Sequence, residues 1–523
     1  YSGSGNYKTA ASTMSISSGK WYVELRTTID SSYVFYPGFG IADITTTAAS
    51  NPTSTDYLGN TNNGIAYYTN NGFFVNNVID QSSTVTVSSG DILGIAIDLD
   101  SSQNTFKIYQ NGTLAETYNI NAPANAYAFC ESTYFLATAA RADWNFGQDS
   151  SFHGLEVAQG NTDENGVGDF YYEPPAGYLA LCTQNLPDPA IADGSEHFNT
   201  VLYTGNGSTN AITGVGFQPD FVWTKPRSFS DFHQAFDLVR GTGKNLSINQ
   251  AVAEQTQSGS LSSFDSDGFT IGSWSNLNSS GSSFVAWNWK ADNTSGSSNT
   301  DGTITSTVSA NTTAGFSIVG YTGDGNSSAT IGHGLNAAPE MMLFKGRTFT
   351  SNWTVYHVGM GNDGGMQLNQ TAAEAVNSQY WNNTTPTSSV FTIGLYENTS
   401  SEDFICYAFH SVEGYSKFGS YTGNGSADGP FIYTGFRPAF VMVKASSTAS
   451  NWFIWDVQRN TYNAATTPLF PNSSSAEEAT LYPIDVLSNG FKLRASSGYG
   501  TNESAAYIYM AFAENPFKYS NAR

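Results

Sequence analysis

One five-residue pattern constrains this chain more than any other feature, because it occurs three times with the same landmarks behind it. Tyr203-Thr-Gly-Asn-Gly207, Tyr321-Thr-Gly-Asp-Gly325 and Tyr421-Thr-Gly-Asn-Gly425 are spaced by 118 and 100 residues (203 to 321, 321 to 421). Each is followed by a Pro turn and an apolar run ending in lysine: Pro219 to Lys225, Pro339 to Lys345 and Pro438 to Lys444. Next come Asp231-Phe232, Asn352-Trp353 and Asn451-Trp452, then Gly268-Phe-Thr-Ile-Gly272, Val390-Phe-Thr-Ile-Gly394 and Gly490-Phe-Lys-Leu-Arg494. Each copy closes on an alternating strand: Phe284 to Lys290, Phe404 to His410 and Tyr507 to Ala513. Five landmarks in fixed order predict three homologous modules, at 195–293, 294–412 and 413–523. Units of about 100 residues bury their own cores, so the spacing predicts separate beads in a row.

Short aromatic or β-branched runs, broken by Gly, Pro and Asn-Gly turns, are the pattern of sandwiches or barrels, and long helical periodicity is absent. Composition agrees. Of 523 residues, 30 are Tyr and 34 Phe, while only 12% are charged, so the polar surface falls to Ser, Thr, Asn and Gly rather than to helix-favouring ion pairs. The fold class expected is all-β: an N-terminal β-sandwich followed by three homologous β-sandwich repeat modules in a row.

Residues 1–150 lack the repeat landmarks and read as a separate β-sandwich. Ile95, Ile97 and Leu99 alternate with Ala96, Asp98 and Asp100, and Thr105 to Tyr109 alternates again before the Asn111-Gly112 turn. Residues 151–194 form a bridge whose Pro174-Pro175 favours a semi-rigid, extended connection. The abrupt opening at Tyr1-Ser-Gly-Ser-Gly suggests residues upstream of those given.

A formal charge of −23 repels phosphate backbones, which argues against nucleic acid as partner. No apolar run approaches the roughly 18 residues that span a bilayer, so no membrane insertion is expected. Cys130, Cys182 and Cys406 are far apart, odd in number and set among apolar neighbours, which reads as buried thiols rather than a disulfide framework.

Motifs of catalysis are missing: there is no GxSxG, GxxxxGK[ST] or HExxH. No two of His153, His197, His233, His333, His357 and His410 lie within five positions, so neither a metal site nor a cofactor is expected. Asp237 with Arg240 and Asp456 with Arg459 occupy corresponding positions in the first and third modules, but the second has His357 and Met360 there. A structural ion pair is the reading preferred over a glycosidase carboxylate pair. Asp98 and Asp100 are expected at a hairpin shoulder rather than in a calcium loop. Trp353, Trp452 and Trp455 are the candidate glycan or receptor contacts, since indoles stack on sugar rings, but their recurrence favours core positions.

The segments Gly19 to Leu25, Ser89 to Asp100 and Thr105 to Gly112, with Asn145-Phe-Gly-Gln148, resemble the SPRY or B30.2 family of concanavalin-like sandwiches. The Pro174 to Cys182 bridge ahead of Tyr-Thr-Gly repeats resembles tail-fibre-like structural proteins of marine tailed bacteriophages. That resemblance implies a non-enzymatic virion protein: a fibre or appendage on the particle surface that contacts other virion proteins and a host surface glycan or protein. By the same analogy it implies a homo-oligomer, with a trimer expected. The alternatives are a free carbohydrate-binding lectin and a polysaccharide-degrading enzyme.

Overall fold

The structure, a computed structural model, describes residues 7–28, 38–43, 58, 64–68, 72–75, 78–83, 85–121, 127–134, 141–477, 482–496 and 500–516. The Tyr1 to Gly5 opening lies outside them. The chain divides into two compact units, Tyr1–Asp188 and Pro189–Arg523, and both are all-β.

In the first unit two sheets face each other. One runs in the order Tyr7–Ile16, Tyr127–Tyr134, Gly38–Asp43, Gly64–Tyr68, Gly72–Val75, Val78–Ser82. The other runs Arg141–Asn145, Lys20–Thr28, Ile92–Asp98, Thr105–Gln110, Thr113–Asn119. Period-two alternation assigns the faces: Trp21, Val23, Leu25, Ile95, Ile97, Phe106 and Ile108 enter the core between the sheets with Phe39, Ile41 and Phe129.

The opposite face of the second sheet is also covered, which the sequence reading did not anticipate. The segment expected as a free bridge folds back across it: Leu179–Ala180 pairs in parallel with Trp21 and Tyr22, and Phe170, Tyr178 and Ala180 pack on Tyr22 and Ala96. Glu24, fully buried on that face, accepts the Tyr171 and Tyr172 backbone N–H groups at 2.8 Å each and the Asn145 amide at 3.2 Å. Those donors are what make a buried carboxylate tolerable there. Residues 151–188 of the expected bridge are therefore part of the first unit, and 189–194 belong to the second.

In the second unit one arrangement occurs three times. The closing strands Ser283–Trp289, Asp403–Phe409 and Ala506–Pro516 each lie between the strand of the Tyr-Thr-Gly motif (Phe198–Thr204, Phe316–Thr322, Ser416–Thr422) and the lysine-ended strand (Phe221–Pro226, Met341–Gly346, Phe436–Ala445). A smaller sheet of two or three strands covers the outer face of each large sheet.

The motif has a local physical reason. Its tyrosine stacks on the first aromatic of the closing strand, Tyr203 on Phe284, Tyr321 on Phe404 and Tyr421 on Tyr507, with interplanar angles of 8°, 7° and 5°. At the first glycine, a Cβ on Gly205, Gly323 or Gly423 would meet the carbonyl oxygen of Ser279, Thr399 or Glu503 at 2.2, 2.3 or 2.0 Å, so no other residue fits. The following Asn206, Asp324 or Asn424 exchanges hydrogen bonds with a fully or nearly fully buried asparagine: Asn278, Asn398 or Asn502.

The modules are not separate beads. Each large sheet is apolar on both faces. Ala286, Cys406 and Tyr509 point outward into three local cores, while Val285 with Trp287, Ile405 with Tyr407, and Ile508 with Met510 point inward to one core common to all three modules. The sheets need this shared burial, because Met341-Met-Leu-Phe344 or Phe284-Val-Ala-Trp287 exposed on one side would leave a large apolar patch in water. The unequal spacing has a simple origin too: strands Ser297–Asn299 and Ser306–Asn311, between the first two modules, add onto the edge of Phe316–Thr322.

Candidate functional site

The polar groups buried around the shared core lie at three seams, and they repeat in cyclic order. Lys225, Lys345 and Lys444, each with 0% exposure, reach backbone carbonyls of the neighbouring module: Ser474 at 3.3 Å, Ala251 at 3.2 Å and Thr371 at 3.4 Å. Thus the first module holds the third, the second holds the first, and the third holds the second. Burial pushes all three ammonium groups down to about 8. Three residues beyond each accepting carbonyl stand Glu477, Glu254 and Glu374. Glu477 pairs with Arg227 and Glu254 with Arg347, but the third module has Ser446 where those arginines stand, and Glu374 has no arginine to meet.

A second ring of donors follows the same order. His233 Nε2 donates to the Phe470 carbonyl at 3.1 Å, Trp353 Nε1 to Ser247 at 2.9 Å and Trp452 Nε1 to Gln367 at 3.0 Å. The His233 tautomer follows from its other nitrogen, which accepts the Trp223 indole N–H. His233, not Phe232, is therefore the counterpart of Trp353 and Trp452, a slip of one position in the sequence alignment.

The Asp–Arg pairs complete the seams. Asp237 and Arg240 have fully buried side chains, and Asp237 accepts the Tyr407 hydroxyl of the second module at 2.6 Å. Asp456 and Arg459 are also buried, and Asp456 accepts the Trp287 indole N–H of the first module at 3.1 Å. At the third seam the closing strand carries Met510, which has no proton to give, and the position of the aspartate is His357, whose Nε2 donates to the Tyr509 carbonyl at 3.1 Å. Donor and acceptor are thus lost together. Burial holds His357 down to about 4, so it is neutral in this role. Glu397, where the other modules have Leu277 and Thr501, is pushed up to about 7 by burial beside Lys345 and Thr354.

The three candidate contact residues do not reach the surface. Trp353 and Trp452 lie in the shared core and Trp455 in the third module's own core, at 0%, 1% and 1% exposure. With indole faces covered by protein, they have no surface on which a sugar ring could stack in this conformation. Of the remaining sequence readings, Trp287 and Trp289 share the inner sheet face. Cys130 and Cys406 are buried and Cys182 is partly so. Asp98 accepts the Asp100 and Ser101 backbone N–H groups and pairs with Lys20, as a hairpin shoulder should. Sequence reasoning missed the carbonyl-bearing segments Asn249 to Glu254, Asn369 to Glu374 and Asn472 to Glu477; their shared Asn and Ala-Glu, at equal spacing, were a usable signal.

Open space occurs in the first unit. A crevice of about 570 Å³ lies between the second sheet, at Tyr22, Tyr109 and Gly112, and the returning segment, at Glu164, Glu173 and Pro175. Aromatic and apolar walls with three carboxylates, Asp163, Glu164 and Glu173, suit small polar ligands in general rather than one class. Among the described residues no group of three or more His, Cys, Asp or Glu side chains is placed to hold a metal ion.

A family model described as "Domain of unknown function (DUF7483)" matches residues 193–516. No curated protein matches the chain. Among solved structures it is similar to a human SPRY domain at 15% identity, covering 27% of this chain and 87% of that one, with a TM-score of 0.23. It is similar to the SPRY domain of human HERC1 at 17% identity, over 27% and 82% of the two chains, with a TM-score of 0.20. The carbohydrate binding module CBM66 of Bacillus subtilis gives 12% identity, 27% and 78% coverage and a TM-score of 0.18.

Proposed function

This chain belongs to the family described as Domain of unknown function (DUF7483), and on that premise we propose that it is a non-enzymatic structural protein of a bacteriophage particle. In this reading it forms part of a fibre or appendage on the virion surface, held by other virion proteins and meeting the host envelope. The observation that supports a structural role is the use made of the chemistry-bearing side chains of the second unit. The Asp–Arg pairs, the lysines, His233 and His357 all serve the seams between modules, and their buried hydrogen bonds fix three sheets around one core. A surface made from Ser, Thr, Asn and Gly with a charge of −23 suits a protein that stays soluble while displayed outside a cell.

Mass spectrometry of purified phage particles, with immunogold imaging using an antibody against the second unit, tests this reading. Labelled fibres or projections are the expected result. Absence of the chain from particles, with glycan affinity in the isolated protein, would replace it by the free lectin reading; release of reducing sugar ends would replace it by the enzyme.

A further inference from the structure

The crevice of the first unit takes no part in the seams, and its shape is set before any ligand arrives. One wall is the outer face of the second sheet, where Tyr22 and Tyr109 lie; the other is made by two stretches of the returning segment, Thr162 to Glu164 and Glu173 to Gly177. Both stretches are tied down. Asp163 accepts the backbone N–H groups of Asn165, Val167 and Ala180 at 2.9 Å each and the Asn185 amide at 2.7 Å. Glu24 holds the backbone of Tyr171 and Tyr172, immediately before Glu173. At the hairpin tip a Cβ on Gly112 would meet the Tyr172 ring at 2.7 Å, so sheet and segment close on each other there. A site built on backbone already held in place loses little entropy when it is filled.

Which polar ligand fits is decided by the carboxylates that remain free. Asp163 is spent on its four donors. Glu164 and Glu173, both exposed, have no hydrogen-bond or ion-pair partner among the described residues, and no Lys, Arg or His lines the crevice. The rest of the lining is aromatic and apolar: half-buried Tyr109, buried Pro174, and Pro175 with Ala176. A cation here is drawn by both carboxylates and by the face of the tyrosine ring, whereas an anion is repelled. The same sheet face already holds one ammonium group in this manner. Lys107, two positions before Tyr109 and so on the same side of its strand, sets its Nζ 5.3 Å from the centroid of the Tyr178 ring. At about 570 Å³ the crevice is of the size that takes small molecules.

We propose that the crevice binds a small organic ammonium ion. The positive group lies against the Tyr109 ring with Glu164 and Glu173 as its counter-charges, and the carbon skeleton runs along Pro174 and Pro175. The proposal stands independently of the virion reading.

The test uses the full chain and ligand-observed NMR titration, with choline as probe. The control is neohexyl alcohol, which has the same shape with carbon in place of the charged nitrogen. Choline should bind at one site, and neohexyl alcohol at least tenfold more weakly. Glu173→Gln and Tyr109→Ala should each weaken choline binding at least threefold, and added salt should weaken it too. The unfolding midpoint of Glu173→Gln should not move, because that side chain is exposed and unpaired. Absence of choline binding would overturn the proposal, as would equal affinity for neohexyl alcohol or binding indifferent to both substitutions. Glucose bound more tightly than choline, and lost in Tyr109→Ala, would assign the crevice to neutral sugars and overturn the ammonium assignment.

Discussion

The buried lysines make the second unit more stable in mild alkali, the reverse of the usual expectation for a charged side chain. Lys225, Lys345 and Lys444 titrate near 8 in the folded chain and near 10.5 when unfolded. Between those values the unfolded chain binds more protons, so stability rises with pH. A lysine with this shift contributes about 1 kcal/mol more at pH 9 than at pH 8, and about 3 kcal/mol for the three together if they act independently. Buried tyrosines and Cys406, whose ionisation is pushed up by burial, oppose this as their unfolded forms ionise. Their combined loss over the same interval is about 1 kcal/mol, leaving a net gain of about 2 kcal/mol before tyrosine ionisation dominates above about pH 10. Urea unfolding followed by tryptophan fluorescence at half-unit steps from pH 7 to 9.5 measures this directly. Lys444→Met should remove about 1 kcal/mol, roughly half of that net slope. A stability that is flat or falling from pH 8 to 9, or a slope unchanged in Lys444→Met, would refute the assignment of the pH dependence to the seams.

In the acid direction, burial lowers His333 and His357 to about 4 and also holds His233 well down, so stability should fall as pH drops from 6.5 toward 4.5, and His357→Gln should flatten part of that fall in the same assay. Ser446→Arg should supply the missing partner of Glu374 and raise unfolding free energy by about 0.5 to 1 kcal/mol, an effect that added salt reduces. Trp287→Phe keeps the apolar bulk but removes the donor to Asp456, and should cost about 1 to 3 kcal/mol; the same change in an Asp456→Asn background should cost less. Trp353→Ala or Trp452→Ala should lose about 3 to 5 kcal/mol of stability in thermal or urea unfolding while leaving any glycan affinity measured on an array unaltered.

The module pattern was legible because each landmark answers a local steric or bonding demand: a glycine against a carbonyl, a tyrosine on a ring, an asparagine in a turn. What joins the modules was harder to read. Tyr407 and Asp237 are 170 residues apart, and no local spacing announces that they meet. Yet part of the answer was present in Met341-Met-Leu-Phe344 and Phe284-Val-Ala-Trp287, since a sandwich with one wet face alternates and these runs do not. In sequence, His357 and Met360 only interrupt the Asp–Arg pattern. Set beside Met510 the interruption is a matched replacement across a seam. The candidate tryptophans lie in the cores that their recurrence favoured: an indole beside Asn and Ser in sequence need not lie beside water, because alternate residues of one strand enter different environments.

The cyclic seams also bear on how such a chain can change by duplication. A solenoid can gain or lose a repeat at its ends, since each unit meets only its neighbours in line. Here the last module already grips the second and is gripped by the first, so a fourth copy has no terminus to join and deletion of any copy strips two others of partners. Copy number is therefore frozen at three by geometry. Divergence must proceed by paired substitutions around the ring, and at the third seam, where His357 donates to the Tyr509 carbonyl next to Met510 in the chain, one such exchange is visible.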